Sequence, residues 1–448
     1  MKSYEDLIAI TSEQDKQNFL TAAINEYKSS LMYRKAADAY EYFCKRNVTI
    51  RNFTKWLYTI SGNAVPDNFS ANYKFVNAFF PIFVRQEVSH LLGNGVTFQN
   101  EETKARLGDI DNQLFRLGLA ACWGGVAYGF VNYDHIDIFK SLEFCPLFGE
   151  EDGALHAGIR FWQFDSQKPL RVTLYEEDGY TEYKYYESKW TVLQEKRAYL
   201  LTVVHTASGI VDLQGKNYPS FPIVPLWANE EHQTELEGLR EKIDGYDLMI
   251  SGLANDLNEA AHLYWVFTNA GGMSDSDVIK FLDRMKTLGA AIVDEDGSTA
   301  EAHTIDVPYA ARQAGLQELR DSLYRDAMAL DTDKISAGNI TATAIEASYE
   351  NLTLKCDAFE MCVLDFIKGV MSLLQIDDLP TFKRSRIGNQ AEDTQMVLSA
   401  NLDTETTLHH LPWISVDEIP GILTRMTREE ADRYEITEEE LTGEEPTE

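Results

Sequence analysis

The most regular pattern in the chain is an apolar stripe in which every third or fourth residue is hydrophobic. This spacing averages 3.5 residues and is typical of a helix that packs lengthwise against other helices. The pattern fits both a long helix in a monomeric bundle and a helix that packs against copies of itself. If it continues to Thr268, the helix exceeds about 30 residues, or about 45 Å. The stripe consists of Leu236, Leu239, Ile243, Tyr246, Ile250, Leu253 and Leu257.

A compact insertion follows this helix, and a second helix follows the insertion. Gly271-Gly272 ends the first helix, and the insertion is predicted to hold a short helix over Asp275–Lys286 and a hairpin that turns at Asp294–Gly297. Pro308 then begins a helix with leucines at positions 316, 319, 323 and 330. Two helices that flank a small insertion predict a stalk with a tip.

The N-terminal half combines helical and β-rich segments. Helical spacing extends over Ser12–Cys44 and Ala71–Leu92, and a Gly-Asn-Gly sequence ends the second stretch. Further on, short β-rich runs alternate with turn residues and predict antiparallel hairpins over 171–187 and 198–215. Nothing there resembles βαβ alternation, so the predicted fold class is α+β and a parallel nucleotide-binding sheet is not expected.

A polar segment separates the second helix from a third. Residues 332–343 are small and polar, with Gly338-Asn339 favouring a flexible loop and Lys334 as the one cation of the segment. Two interpretations stay open, a mobile surface connection or a loop that a rigid scaffold presents to a ligand or pore. A long helix over 344–375, a strand over Thr381–Ile387 and a solvated acidic tail from Glu429 are predicted after it.

Composition and charge narrow the classes of function. The 448 residues include 40 basic and 72 acidic side chains, which gives a formal charge of −32. This excludes a broad basic surface that wraps nucleic acid, although a narrow local contact with DNA stays open. Five cysteines without a CxxC pair argue against a disulfide framework or zinc knuckle. The N-terminus lacks an apolar signal core and no run approaches about 18 apolar residues, so we expect a soluble protein that is intracellular when made.

Catalytic motifs are weak throughout the chain. P-loop, GxSxG and HExxH sequences are all missing. GGVAYG at 124–129 indicates tight packing, and the DEDG turn with Glu301 indicates an ordinary hairpin turn instead of a calcium loop. His409-His410 is interpreted as a surface pair or a helix cap. The residues therefore predict no enzyme, no cofactor and no metal site, with a metal-dependent hydrolase as the competing alternative.

An ordered series of segments resembles the portal, or head-to-tail connector, proteins of tailed bacteriophages of the siphophage type. The similarity covers most of residues 20–400 in the order that the family shows. In the first long helix it includes the core Ile243-Asp244-Gly245-Tyr246-Asp247, after a Pro-rich strand and an Asn-Glu-Glu sequence. The segments that carry the resemblance are FVRQEVSHLLGNGVTFQ, GGVAYGFVNYD, FPIVPLWANEEHQTELEGLREKIDGYDLMISGLANDLNEAA, DTDKISAGNITATAIEASYENLTLKCDAFE and TFKRSRIGNQAE.

The resemblance implies an architecture. The chain would be an elongated portal-type subunit of the α+β class, with a mixed α/β wing, a long-helix stem, a small α/β clip and a short helical C-terminal crown. The implied boundaries are 1–230 for the wing, 231–268 for the first stem helix, 269–306 for the clip, 307–331 for the second stem helix, 332–343 for the tunnel loop, 344–388 for the long helix and the strand that returns to the wing, and 389–448 for a reduced crown and acidic tail.

The resemblance also implies a function. Portal subunits form a ring, usually of twelve copies, at one capsid vertex, through which terminase packages DNA and through which DNA leaves at infection. The implied partners are further copies of the chain, the terminase large subunit, a head-completion adaptor, scaffold and major capsid protein, and double-stranded DNA that passes without sequence specificity, but no membrane. The implied location is the portal vertex of the virion, after assembly in the host cytoplasm. Another ring-forming head–tail protein, such as an adaptor, is the alternative within this class.

Three sets of residues become candidate sites under this resemblance. The tunnel loop would line the narrowest point of the channel, with Lys334 making weak phosphate contacts, and acidic stem positions would repel phosphate so that DNA slides. The clip would bind terminase and then an adaptor. The sets are Asp333, Lys334, Ile335, Ser336, Asn339 and Thr341 in the tunnel loop; Glu237, Glu241, Asp244, Asp247, Asp256 and Glu259 in the stem; and Asp275, Asp277, Lys280, Asp294 and Glu295 in the clip.

Overall fold

A computed structural model describes most of the chain and shows helices together with antiparallel sheets, which confirms the α+β class. The chain divides into two compact units, Met1–Asp331 with Asn351–Ser385 and Thr332–Glu350 with Arg386–Glu448. No described helix is both long and apolar enough to cross a membrane. The described residues are 2–58, 62–67, 70–205, 211–260, 264–268, 274, 276, 279–280, 283, 299–303, 308–336, 342–384, 404–411, 414 and 419–428.

Helices occur along the whole described chain, and residues 419–428 are helical as well. The others are α1 (Tyr4–Ile8), α2 (Glu13–Ser29), α3 (Leu31–Phe43), α4 (Val48–Asn52), α5 (Phe79–Leu92), α6 (Glu101–Leu107), α7 (Ile110–Gly124), α8 (Arg240–Ala260), α9 (Tyr309–Asp326), α10 (Thr332–Ser336), α11 (Ala342–Leu374) and α12 (Thr404–His410).

The strands are short, and most lie between α7 and α8. They are β1 (Trp56–Tyr58), β2 (Ala64–Pro66), β3 (Val96–Phe98), β4 (Val126–Asn132), β5 (His135–Lys140), β6 (Phe144–Phe148), β7 (Leu155–Trp162), β8 (Leu170–Glu176), β9 (Gly179–Tyr186), β10 (Lys189–Arg197), β11 (Leu200–His205), β12 (Val211–Lys216), β13 (Ile223–Trp227), β14 (Tyr264–Thr268), β15 (Thr299–His303) and β16 (Pro380–Phe382). They pair in the orders β10-β9-β8-β7-β6, β13-β4-β5, β1-β2, β3-β16, β11-β12 and β14-β15.

The predicted N-terminal helices are present with different bounds. Ser30 separates α2 from α3: its backbone is extended and its side chain accepts a hydrogen bond from the N–H of Tyr33. The helix predicted from Ala71 begins only at Phe79, so that prediction is wrong for residues 71–78. The reason is that backbone N–H groups in this stretch donate to side chains of α8 instead of to a helix of their own.

Both predicted hairpins of the β-rich region are confirmed. β8 and β9 pair antiparallel and close with Glu176 opposite Gly179, and β11 pairs with β12 along its whole length. Helix α2 covers the five-stranded sheet, where its Leu20 and Tyr27 are buried with Ile159 and Leu174 of the strands. The pairing of the edge strand β10 with β9 shifts register on both sides of Gln194.

The glycine-rich stretch at 124–129 is a site of tight packing, as predicted. An added Cβ at Gly129 of β4 would lie 2.6 Å from Cζ of Phe366 on α11, and one at Gly124 would lie 2.5 Å from Oγ of Ser141. Gly125 has a φ of +78°, which other residues rarely adopt. The glycines therefore let α11 approach β4 closely and let the β5–β6 connection approach the end of α7.

Both helices of the predicted helix–insertion–helix unit are present, but the first of them is shorter than predicted. α8 and α9 lie antiparallel, since Lys242 pairs with Asp326 and Asp256 pairs with Arg312. α8 ends at Ala260, and the segment expected to extend it to Thr268 is strand β14, which pairs with β15. The sequence of β14, YWVFT, is aromatic and β-branched and favours a strand. The predicted DEDG turn and most of the predicted short helix lie outside the described residues.

The C-terminal elements also depart from the prediction. The segment predicted as a flexible loop is helical from Thr332 to Ser336, and the long helix begins at Ala342, two residues earlier than predicted. The predicted return strand is confirmed as β16, which pairs with β3, while residues 385–387 lie outside the described range. In the second unit Leu408, Leu411 and Ile419 form a small apolar cluster. The acidic tail is outside the described residues.

Candidate functional site

One face of α8 binds an extended segment of the chain through polar side chains. Asn255 accepts a hydrogen bond from the N–H of Tyr73 (2.7 Å), and Ser251 accepts one from the N–H of Phe75 (2.9 Å). Asp247 accepts from both the N–H (3.1 Å) and the side-chain amide (2.7 Å) of Asn77. We call Asp247, Ser251 and Asn255 the α8 ladder.

The ladder fits because two repeats coincide. Residues four apart on a helix are separated by about 6 Å along its axis. Every second N–H of an extended chain recurs after about 6.6 Å. Helix positions 247, 251 and 255 therefore stay level with positions 77, 75 and 73 of a segment that runs in the opposite direction. All three ladder side chains are buried.

The acidic end of the ladder is part of a larger network. The second oxygen of Asp247 accepts a hydrogen bond from Asn47 (2.9 Å), whose own carbonyl oxygen caps α4. One turn earlier, Asp244 accepts from Tyr42 (2.5 Å) and Thr49 (2.7 Å). Burial raises the pKa of the Asp247 carboxyl, and the hydrogen bonds from Asn77 and Asn47 oppose that rise. Burial and the bond to Asp244 raise the pKa of Tyr42 to about 12.

These contacts revise the predicted set of channel-facing acids. Asp247 is fully buried, so the prediction that it faces a channel is wrong. Glu237 forms an ion pair with Lys35 (2.9 Å) and Asp256 forms one with Arg312. Glu241 is exposed, and the side chain of Glu259 lies outside the described part of the structure.

The apolar stripe of α8 is covered at one end and open at the other. Ile243, near the start of the helix, is 2% exposed, whereas Leu257, near its end, is 48% exposed. Leu248, beside the stripe, is also exposed. The contacts of α8 with α9 and with the rest of the first unit therefore leave apolar surface uncovered at the C-terminal end of α8.

The two other predicted sets are only partly described. Asp333 and Lys334 are exposed on the short helix α10, and Lys280 is exposed in a helical turn of the insertion. Nothing is described for the side chains of Ile335 and Ser336. Asn339, Thr341, Asp275, Asp277, Asp294 and Glu295 lie outside the described residues, and their roles stay predictions. Across the described positions no group of three or more His, Cys, Asp or Glu residues is placed to hold a metal ion.

Three charged side chains from different parts of the first unit meet in a largely buried cluster. The ammonium of Lys355 on α11 lies 2.9 Å from Oε2 of Glu87 on α5 and 2.7 Å from Oε2 of Glu235, which precedes α8. The side chain of Asn229 donates to the other oxygen of Glu235 (2.9 Å). A cavity of about 360 Å³ opens beside the cluster. The three residues are far apart in sequence, so no local pattern predicts the cluster.

Two carboxylates share one ammonium group in this cluster. Burial raises the pKa of Glu87 to about 8, with Glu235 adding to the rise and Lys355 opposing it. Although burial lowers the pKa of Lys355, the two carboxylates raise it above its ordinary value. The cluster therefore holds an extra proton on Glu87 in the folded state near neutral pH.

This proton makes stability depend on pH. Folded Glu87 keeps its proton up to a pH of about 8, whereas the unfolded chain releases it near 4.5. Between these values the folded state binds more protons, so the free energy of unfolding is expected to fall as pH rises. Urea unfolding of Glu87→Gln at pH 5, 6.5 and 8 should show a flatter dependence than wild type. Equal slopes would contradict the shifted pKa of Glu87, because all other groups are common to both proteins.

The sequence holds a signal for the ladder, although the ladder was not predicted from it. Asp247, Ser251 and Asn255 repeat every four residues beside the apolar stripe, and such a polar row next to a core-facing stripe indicates side chains that bind another segment. The acidity of the chain as a whole favoured a channel position for the acidic member of the row instead.

In the sites described above, charged and polar side chains bind one another and the backbone. The family model "Phage portal protein, SPP1 Gp6-like" matches residues 45–443. The chain belongs to this family of phage portal proteins, the head–tail connectors of bacteriophages. Its members are structural proteins, so both the family and the non-enzymatic role predicted from the sequence are confirmed.

Two curated portal proteins are similar to the chain in sequence. The chain is 28% identical over 209 residues to the portal protein of Clostridium phage phiCD119, an alignment that covers 44% of this chain and 46% of that protein. It is 22% identical over 423 residues to the portal protein of Bacillus phage SPP1, which covers 84% of this chain and 80% of that one. A solved structure of the virion of a native gene transfer agent particle contains a similar chain, with 10% identity, a TM-score of 0.44, and coverage of 75% of this chain and 89% of that one.

Proposed function

We propose that the chain assembles into a ring of about twelve copies at one capsid vertex, through which DNA is packaged and ejected. Membership in the portal family supports this proposal. The observation that carries it is the apolar stripe of α8, whose exposed end needs a partner surface. Parallel copies of α8 in a ring would supply that surface to one another. In the proposed assembly α8 and α9 are the stem and the insertion between them is the clip.

The charge of the chain suits passage of DNA. A formal charge of −32 on each copy repels phosphate, so DNA would slide through the ring with few adhesive contacts. Among the acidic residues of α8 that the structure describes, Glu241 best fits a position that faces the channel. It is exposed, and it projects from a different side of the helix than the buried Asp247. The clip would bind terminase and later an adaptor, the ring would meet scaffold and major capsid protein, and assembly would take place in the host cytoplasm.

Native mass spectrometry with negative-stain imaging tests the ring directly. We expect a species near twelve times 50.9 kDa with a central hole and a stalk. Images of open filaments, or of a compact oligomer without a channel, would contradict the proposal. A chain that stays monomeric alone should be retested in the presence of scaffold protein, and a monomer there as well would rule the ring out.

The polar segment around α10 is proposed to contact DNA at the narrowest point. Lys334 is exposed, and a ring would place one copy of it per subunit around the channel. Lys334→Glu should reduce DNA retention after packaging and Lys334→Ala should do so less, because one variant repels phosphate and the other only loses attraction. The measurement is packaged DNA that resists nuclease in particles carrying each variant. Wild-type retention in both variants would remove Lys334 from the channel contact.

A further inference from the structure

One stretch of the chain has the opposite charge to the rest. Residues 45–77, which we call the basic arm, carry five cations and one acid, for a net charge of +4. The remaining 415 residues carry a net charge of −36. The single acid of the arm, Asp67, is buried and binds the N–H of Ser70 (3.0 Å). One cation, Arg46, pairs with Glu41 outside the arm (3.4 Å). The other four cations outnumber Asp67, so the arm stays positive.

The basic arm also exposes large apolar side chains. Six of them, just after α4, on the β1–β2 hairpin and on the extended segment, are between 41% and 54% exposed, whereas large apolar side chains of the neighbouring α5 are mostly buried. Within this short stretch, the adjoining rings of Tyr73 and Phe75 present exposed apolar surface to a partner. The six are Phe53, Trp56, Leu57, Val65, Tyr73 and Phe75.

The α8 ladder fixes how part of this surface is presented. The N–H groups of Tyr73 and Phe75 bind α8 in the plane of the extended backbone, so the two side chains project from one face of it. Their rings lie 6.3 Å apart and nearly parallel, at 16°. Lys74 donates to the carbonyl of Arg51 (2.7 Å), a neutral acceptor that leaves its charge uncompensated. The part of the surface formed by Tyr73, Lys74 and Phe75 is thus held in place by α8 and Arg51, which lowers the entropic cost of binding.

We infer that the basic arm docks onto the acidic surface of a second copy of this chain. Outside its own arm a neighbouring copy carries a net formal charge of −36, which is opposite in sign to the charge of the arm. Double-stranded DNA is the other polyanion the arm could meet, but Leu57 and Val65 are aliphatic and need an apolar partner, which phosphates do not provide. This inference rests on the proposed self-assembly and adds the contact that would hold neighbouring copies together.

Zero-length cross-linking tests the contact in the unaltered protein. The protein is produced once with the natural (light) nitrogen isotope and once with the heavy isotope, and the two preparations are mixed before assembly. The mixture is then treated with a carbodiimide, which joins a lysine amine to a carboxylate in direct contact. We expect light–heavy peptides that link Lys55 or Lys74 to an Asp or Glu outside residues 45–77. If every cross-link of these two lysines joins residues of the same isotope, the arm stays on its own copy and the inference is wrong.

Paired charge reversals test the same contact by assembly. Arg51→Glu with Lys74→Glu should raise the protein concentration needed for assembly about tenfold or more, since attraction becomes repulsion. The control is Lys189→Glu with Lys216→Glu, which makes the same change in net charge at exposed positions outside the arm. The control should assemble as wild type does. Circular dichroism melting of both proteins verifies that each is folded.

The outcomes separate this inference from the proposed ring. If wild type and the arm variant form the same ring at the same concentration, the ring stands and the arm contact is wrong. If wild type forms only oligomers smaller than a ring and the arm variant does not form them, the arm contact is supported and the ring is not. If assembly is unchanged but the arm variant loses binding to a 30-base-pair duplex in fluorescence anisotropy, the arm binds DNA and the inference is overturned.

Discussion

Replacing Lys355 by methionine is expected to lower the free energy of unfolding by about 3 kcal/mol at pH 8. Methionine keeps most of the apolar stem of the side chain but removes the ammonium that lies within 3 Å of both Glu87 and Glu235. Without the ammonium, Glu87 must either hold a proton at pH 8 or face the Glu235 carboxylate in a largely buried site, and both states cost free energy. At pH 5 the loss should be smaller, because Glu87 relieves the repulsion by keeping its proton. Urea denaturation at the two pH values measures both effects.

The matched control is Lys368→Met on the same helix. Lys368 is exposed and lies 3.5 Å from Asp365, so its ion pair is screened by water. Its replacement should change the free energy of unfolding by less than about 0.5 kcal/mol. Equal losses for the two lysines would mean that the charge cluster does not stabilise the first unit.

Replacing Asp247 by alanine should have an effect of similar size, about 3 kcal/mol. The carboxylate accepts hydrogen bonds from Asn47 and from two groups of Asn77, and alanine leaves these donors without an acceptor in a buried place. Besides the loss of stability, the extended segment should detach from α8. Hydrogen exchange at residues 70–77 should therefore become faster than the fall in global stability explains.

Glu241→Ala is the control for this variant. Glu241 is an exposed acid on the same helix, so its removal costs neither a buried hydrogen bond nor packing. We expect no change in hydrogen exchange at residues 70–77 and a stability within about 0.5 kcal/mol of wild type. Protection that persists in Asp247→Ala would show that Ser251 and Asn255 hold the segment without the carboxylate.

Features that depend on neighbouring residues could be predicted from the sequence. The Asp-Gly turn at 178–179 gave the β8–β9 hairpin, and Pro308 gave the start of α9, because turn and helix-start preferences act over a few residues. The spacing of the apolar stripe likewise predicted the helix α8. Its exact end was not predictable, because YWVFT becomes a strand only when β15 pairs with it.

Features that depend on distant residues could not be predicted. Residues 71–78 have helical spacing, yet their N–H groups find acceptors on α8, about 170 to 180 positions away. The charge cluster joins Glu87, Glu235 and Lys355 only because α5, α11 and the start of α8 meet in the folded chain. The net acidity of the chain led to the prediction that acidic residues of α8 face a channel. Asp247 is instead buried and stabilises the fold.

The irregular edge strand β10 has a consequence for the proposed assembly of many copies. A straight sheet edge offers unpaired N–H and C=O groups that can recruit strands from other chains and begin aggregation. In β10 the register shifts on both sides of Gln194, and the strand continues with the charged residues Glu195, Lys196 and Arg197. Both features oppose regular pairing with a further strand. The five-stranded sheet thus ends at β10, and crowding of subunits favours contacts between folded surfaces over growth of a fibril.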